Sequence, residues 1–456
     1  MKENGNLHFG TEVKKEAKGL LAGSFINNIL GKVSDYIYYK AETSNIARVV
    51  ETDNSLKNLS SKSLFAILVN SFIQKLNKYR RNIAKSVEES LILDRISAFF
   101  RYLMSLNLIS WGTGLFFYGL LVSGISILKA YNTQGEVNIG SGMLYGVVFI
   151  VIGILIMANR MSLYNALTGS RILGYLIFDI AGVRRDQIAT DKTINSPIVP
   201  CIISALMAVT TLYVPAYYAP IALIALIVAT LIINITEFGV VILFLAIPFI
   251  STMQAAALSL FVILSFILKL IRGKRNIKFD KMDVAVLFFM ISLFTLGFLS
   301  SLNPSKSMFP VFLYILFISV YFVIANTLRS KKWSLKAIYA LIISGTFSAI
   351  IGIYQNFVGL EQSLIWVDTS MFSDISARVI GTFENPNVFG EFLIMIIPLS
   401  FVSLIKSKRM GKYGPLVSLF FMGLSLIYTY SRGAWLAFLV SFFLFLLFLH
   451  TGFMKI

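Results

Sequence analysis

Two arginines carry the clearest potential for chemistry in this sequence. Arg378 opens the stretch "RVIGTFENPNVFGE", and Arg432 lies within "YSRGAW" about 50 positions later. A guanidinium can hold phosphate oxygens through two parallel hydrogen bonds, so two of them on one membrane face could clamp a diphosphate. The alternative is that each arginine is a snorkelling anchor, whose side chain extends to the headgroup layer. A charge held within the lipid hydrocarbon would be costly.

The residues that follow Arg378 predict a turn and then a helix. Asn385, Pro386 and Asn387 form a turn signal, and we expect the side chain of Asn387 to cap the helix behind it. Glu391 begins an apolar run only four residues later. Its carboxylate is therefore either near headgroup water or functional, and the sequence leaves both readings open.

Composition excludes several other classes of site. The chain has one cysteine, Cys201, and two distant histidines, His8 and His450, so we expect no disulfide framework and no metal site. The net charge is +18, but the basic residues flank apolar runs, as the positive-inside bias predicts for a membrane protein. We therefore expect no nucleic-acid partner.

The elements that must position these residues are membrane helices. Apolar residues make up 57% of the chain and charged residues 14%, against about 45–50% and about 25% in a soluble domain. The excess lies in runs of about 17–22 residues, the length at which a helix crosses the hydrocarbon core. Because these runs do not alternate apolar with polar residues, they predict helices rather than barrel strands.

The predicted fold is an all-α polytopic membrane bundle of about twelve transmembrane helices with a helical cytosolic N-terminal extension. The predicted spans are 106–128, 142–158, 199–214, 217–234, 238–252, 254–270, 284–301, 308–328, 335–357, 388–405, 413–430 and 433–450. The two predicted spans between Phe238 and Leu270 could instead form one long tilted helix. Gly142 and Gly146 give a small-xxx-small spacing, a weak helix-packing signal.

Charge favours twelve spans with the N-terminus inside. In that arrangement the inside loops and their margins hold 19 Lys and Arg, whereas the outside connections hold four, namely Lys129, Lys306, Arg378 and Arg432. The predicted organisation is a cytosolic helical extension at 1–104, eight transmembrane helices within 105–334, and a membrane region at 335–456. The longest external loop of that region is 358–387. Residues 1–104 are either a surface-lying extension or a docking domain.

The two arginine motifs resemble the O-antigen ligase and O-antigen polymerase superfamily of bacterial membrane enzymes. "RVIGTFENPNVFGEF" from Arg378 to Phe392 is similar to the family's Arg–Gly-Thr-Phe–Asn-Pro-Asn pattern, and "YTYSRGAWLAF" from Tyr428 to Phe438 is similar to its Ser-Arg-Gly-Ala segment. The matching stretch covers about residues 335–450, while the preceding spans fit only by number and topology.

The resemblance implies an enzyme of the bacterial inner membrane that moves a glycan from an undecaprenyl-diphosphate carrier to an acceptor hydroxyl in the outer leaflet. It implies that Arg378 and Arg432 bind the diphosphate and that no nucleotide, metal or other cofactor is needed. The implied partners are the lipid-linked donor, membrane lipids, and a glycan, lipid or protein acceptor. Ligase and polymerase cannot be separated. Motif residues expected to support the arginines are Thr382, Glu384, Asn385, Asn387, Glu391 and Ser431.

The resemblance also implies a further external loop with an arginine and a histidine, after the Ser-Arg-Gly-Ala span. The chain ends at Ile456, and His450 falls at the inner end of the last predicted span. We therefore expect a fragment, and the sequence assigns no catalytic base. Two alternatives stay open: a non-catalytic truncated homologue, and a transporter or flippase of lipid-linked glycans. The apolar middle of the spans argues against transport.

The predicted external loop contains further polar and aromatic residues. Its carboxylates could touch sugar hydroxyls or simply be solvated, and its tryptophan could stack on a sugar or anchor the loop at the interface. These residues are Glu361, Trp366, Asp368, Asp374 and Glu384.

Overall fold

The structure is a computed structural model that describes residues 91–134, 141–271, 281–299, 303–358 and 378–451, with residues 71, 275, 277 and 301. Within these ranges the chain is helical and contains no strand. Most of the predicted N-terminal extension and residues 359–377 of the predicted external loop lie outside the described residues. That loop section includes Glu361, Trp366, Asp368 and Asp374.

The helices are numbered in chain order. They are α1 Leu91–Ser105, α2 Leu108–Gln134, α3 Ser141–Met157, α4 Leu163–Gly169, α5 Arg171–Gly174, α6 Arg185–Ile188, α7 Ile198–Thr210, α8 Tyr218–Asn234, α9 Thr236–Ala246, α10 Thr252–Ile271, α11 Lys281–Leu299, α12 Pro304–Thr327, α13 Lys331–Val358, α14 Pro386–Lys406, α15 Tyr413–Tyr428 and α16 Arg432–Thr451. A π-helical turn, Tyr175–Ile180, continues α5, and 3₁₀ turns lie at Ile247–Phe249 and Arg409–Lys412.

Seven helices in the described ranges are long and apolar enough to cross a membrane. They are α2, α10, α11, α12, α13, α14 and the helix that ends with α15. The described residues therefore form an all-α polytopic membrane protein by length and composition. Five shorter apolar helices coincide with the other predicted spans, so the count of twelve crossings stays a prediction.

The region between Phe238 and Leu270, for which the sequence allowed one helix or two, forms two helices, α9 and α10. The side chains of Ser251 and Gln254 each accept a hydrogen bond from the other's backbone N–H, at 3.4 and 3.0 Å, which forms a capping box at the start of α10. At the other end, buried Glu237 near the start of α9 forms ion pairs with Lys269 near the end of α10 and with Arg275. The chain therefore reverses direction between them.

The contacts divide the chain into two compact units. The first comprises Val241–Leu258 and the described part of Arg329–Ile456, so it contains α13 to α16. Its core joins buried side chains of all four helices, among them Ala349, Phe389, Leu393, Met422 and Ala434. Glycine allows close packing here, because a Cβ on Gly345 would lie 3.1 Å from the Met422 sulfur.

The second unit comprises the described parts of Lys78–Val240 and Ser259–Leu328. In it α2 and α3 pack with their backbones in close contact. A Cβ added to Gly119 would lie 2.5 Å from the carbonyl oxygen of Gly146, and one added to Gly142 would lie 2.5 Å from Ser126 Oγ. The spacing of Gly142 and Gly146 therefore marks a helix-packing face, as the sequence indicated.

Candidate functional site

The described site begins where the chain enters α14 from the predicted external loop. Arg378 is half-buried, and its Nε donates to the backbone carbonyl of Thr429, 2.9 Å away. The next residue, Val379, donates its backbone N–H to the carbonyl of Tyr428 at 3.1 Å. Val379 and Ile380 are both buried. Two apolar side chains thus anchor the segment in the core and hold Arg378 at the C-terminal end of α15.

The segment then turns at Gly381, which has a φ of +60°. A side chain there would be strained in this left-handed conformation, and its Cβ would lie 2.7 Å from the Phe389 ring. The buried Gln355 side chain on α13 pairs with this glycine in both directions. Its Oε1 accepts from the Gly381 N–H at 2.8 Å, and its Nε2 donates to the Gly381 carbonyl at 2.5 Å.

Thr382 contacts the same helix. Its hydroxyl lies 2.7 Å from that of Ser348 on α13, close enough for a hydrogen bond in either direction. Thr382 therefore helps to hold the segment that carries Arg378 against α13.

The cap of α14 is Asn385 and not Asn387, so that prediction was wrong. Asn385 has an extended backbone conformation, and its side chain accepts from the Asn387 N–H at 2.8 Å. The reason is Pro386, which occupies the first helical position, where a missing N–H costs nothing. The Asn387 side chain is thereby available for another contact, and its Oδ1 accepts from Arg378 Nη2 at 3.0 Å.

The second motif forms the entry to α16. Tyr430 has a φ of +47°, which turns the chain sharply between α15 and α16. Buried Ser431 caps α16, and its Oγ accepts from the Ala434 N–H at 3.3 Å. Arg432 is the first residue of α16 and is exposed. Trp435 Nε1 donates to the carbonyl of Leu426 at 2.9 Å, which fixes the start of α16 against α15.

The starts of α14 and α16 lie side by side. A Cβ added to Gly390 would lie 2.8 Å from the Ala434 Cβ, so the first turns of the two helices are in close contact. Arg378 binds Thr429, only three residues before Arg432. The structure thus brings the two predicted arginines to one end of the first unit, together with two helix N-termini, which carry partial positive charge.

Among the described residues, this end of the first unit carries charges of both signs, from Arg378, Arg432, Glu384 and Glu391. Burial lowers the pKa of Arg378 from its ordinary value, yet a guanidinium remains charged under any physiological condition. Its bonds to Thr429 and Asn387 engage two of its five N–H donors among the described residues. Glu384 and Glu391 are both exposed; Glu391 lies one turn inside α14.

Sequence reasoning missed three residues that position Arg378. They are Gln355, Ser348 and Thr429. Gln355 had a visible signal, because it and the adjacent Asn356 are amides near the end of an apolar run. Thr429 acts through its backbone carbonyl, so its side-chain type gives no signal.

Scans of the chain against protein-family models, curated proteins and solved structures give no match. The likeness to the O-antigen ligases and polymerases therefore rests on the two motifs alone.

Proposed function

We propose that this chain is a membrane glycan transferase of the O-antigen ligase or polymerase type. It moves an oligo- or polysaccharide from an undecaprenyl-diphosphate carrier to an acceptor hydroxyl. The observation that carries the proposal is the bond from Arg378 to the carbonyl of Thr429, which holds the first arginine beside the turn that presents Arg432.

The chemistry requires that negative charge be stabilised as it develops. The acceptor oxygen forms a bond to the anomeric carbon, the bond from that carbon to the diphosphate breaks, and the acceptor hydroxyl loses its proton. The departing diphosphate gains charge, so fixed cationic donors lower the barrier most when they are placed before the reaction. Arg378, held by Thr429 and Asn387, is such a donor, and the exposed Arg432 at the start of α16 supplies the second cation.

The proton acceptor for this reaction is not assigned to a residue. The resemblance implies a histidine, but His450 lies 18 residues along α16 from Arg432. At 1.5 Å per residue its backbone is about 27 Å from the site. His450 therefore cannot serve this site, and the base comes from another group.

The polyprenyl tail of the donor must also be accommodated. A polyprenyl tail needs an apolar surface beside the diphosphate site, and the exposed side chains of α14 to α16 are largely apolar. The proposal places this site at the outer face of the bacterial inner membrane, with the N-terminus in the cytoplasm, as the charge asymmetry indicates.

The direct test is glycan transfer by the purified protein in vesicles that contain lipid-linked donor and acceptor. Arg378→Ala and Arg432→Ala should each abolish transfer. Lys408→Ala, which changes an exposed cation just beyond the opposite end of α14, should leave it unchanged. Full transfer by both arginine variants would overturn the proposal.

A deletion strain separates transfer from transport. Loss of a transferase leaves lipid-linked glycans in the outer leaflet, because flipping continues. Loss of a transporter leaves them in the inner leaflet. Accumulation in the inner leaflet would therefore contradict the proposed activity.

A further inference from the structure

A second feature, in the other unit, lies between α3 and α7. We define residues 160–194 as the interfacial segment. Both ends of this segment are hydrogen-bonded to the two residues that directly precede α2. Leu163 N–H donates to the Leu106 carbonyl at 2.8 Å, and Asn107 N–H donates to the Ile194 carbonyl at 2.9 Å.

These bonds hold both ends of the segment beside the start of a candidate membrane span. α2 is a candidate span whose apolar stretch begins at Leu108, so its first residues lie near one boundary of the hydrocarbon core. The two backbone bonds hold the segment near that boundary. The helix formed by Arg171–Gly174 and Tyr175–Ile180 has ten residues and a length of about 15 Å, half of what crossing requires.

This short helix is apolar on two opposite sides. Gly174, Phe178 and Ala181 are buried in the protein. Ile172 is 74% exposed and Tyr175 60% exposed, and Leu173 and Leu176 are also exposed. An apolar face of this kind, unlike scattered apolar residues, needs a non-aqueous neighbour.

The charges around this face indicate the chemistry of that neighbour. Arg171 is adjacent to Ile172, and Arg160 lies at the start of the segment; both side chains are exposed. Arg184 pairs with Asp186, while the Arg185 guanidinium lies 4.9 Å from the centre of the Phe178 ring. The segment holds five basic and three acidic residues, which favours an anionic surface.

We propose that the interfacial segment lies in the headgroup layer and binds anionic phospholipids. Ile172, Tyr175 and Leu176 insert at the acyl boundary, and Arg160 and Arg171 contact phosphate groups. Burial of the apolar face and attraction to anionic lipid act together in such helices. This inference does not depend on the proposed transferase activity.

A spin label measures the depth directly. In a Cys201→Ser background, which removes the only native thiol, Ile172→Cys carries the label and Ala189→Cys, at an exposed position beyond α6, is the control. In vesicles of phosphatidylcholine with phosphatidylglycerol, the label at 172 should collide several-fold more readily with oxygen than with a water-soluble nickel chelate. The label at 189 should show the reverse preference.

The dependence of the label's depth on lipid charge tests the anionic headgroup. The label at 172 should lie deeper with phosphatidylglycerol present than in phosphatidylcholine alone, and an Arg160→Gln/Arg171→Gln variant should lose that shift. Equal depth in both lipids would overturn the headgroup assignment. Water exposure of position 172, or strong dipolar coupling between labels on two copies, would overturn the proposal as a whole, since the latter would identify a second copy as the occupant.

Discussion

Arg378 and Thr429 are joined by a hydrogen bond from the guanidinium Nε to the backbone carbonyl, 2.9 Å long, across 51 positions of sequence. Thr429 is the C-cap of α15, so the cation lies at the negative end of one helix dipole and beside the positive ends of α14 and α16. The bond satisfies a carbonyl at a helix end and orients the remaining guanidinium donors.

Gln355→Leu should destabilise the protein and displace Arg378. The substitution leaves the Gly381 N–H and carbonyl without the partners they now have in Gln355, at a cost of roughly 1–3 kcal/mol for each group. The apparent unfolding temperature in detergent and the rate of glycan transfer should both fall. Unchanged values of both would contradict the assigned role of this amide.

Gly381→Ala should lower the free energy of unfolding by about 2–4 kcal/mol, from a left-handed backbone and an overlap with the Phe389 ring. Gly423→Ala on α15 is the matched control, because beyond the chain neighbours and the backbone of its own helix no described atom lies within 4 Å of its added Cβ. A mid-helix alanine should stabilise there by up to about 1 kcal/mol. Chemical denaturation of both variants tests this, and similar behaviour of the two would count against the described turn.

Glu237→Gln should be strongly destabilising, by about 3 kcal/mol, because it leaves Lys269 and Arg275 without the carboxylate they share. Asp186→Asn is the control. Both partners of its ion pair with Arg184 are exposed, so this substitution should change the stability very little. Thermal unfolding in detergent compares them. Adding Lys269→Met to Glu237→Gln should recover part of the loss; no recovery would refute the ion-pair explanation.

Gly146→Leu should separate α2 from α3, because a Cβ there would already lie 2.2 Å from Ser123 Oγ and 2.7 Å from the Gly119 carbonyl. Gly124→Leu adds the same volume at a position where, beyond the chain neighbours and the backbone of its own helix, no described atom lies within 4 Å of the Cβ. Size-exclusion profiles of the solubilised variants should show aggregation only for the first. A monodisperse Gly146→Leu protein would show that this contact is not needed.

The helices could be predicted from the sequence because hydrocarbon thickness fixes the length of a span, and the apolar runs have that length. The break between α9 and α10 was also present in the sequence, as the capping residues Ser251 and Gln254. It was ambiguous only because the flanking residues are apolar on both sides.

The site was predictable in part. Arg378 and Arg432 stand out by charge in an apolar context, and the turn at Asn385–Asn387 stands out by residue type. The cap was predicted at Asn387 but lies at Asn385, because Pro386 occupies the first helical position. The contacts with Thr429 and Gln355 depend on how α13 and α15 pack, and no local pattern encodes that.

The most direct measurement of the central claim is the affinity of the purified protein for a short prenyl diphosphate, by isothermal titration calorimetry. Arg378→Ala and Arg432→Ala should each weaken binding at least tenfold. The double variant should lose much less than the sum of the two free-energy changes, as expected when both groups hold one ligand. Lys408→Ala should bind like the unmodified protein. Unchanged affinity in either single arginine variant would contradict a shared diphosphate site.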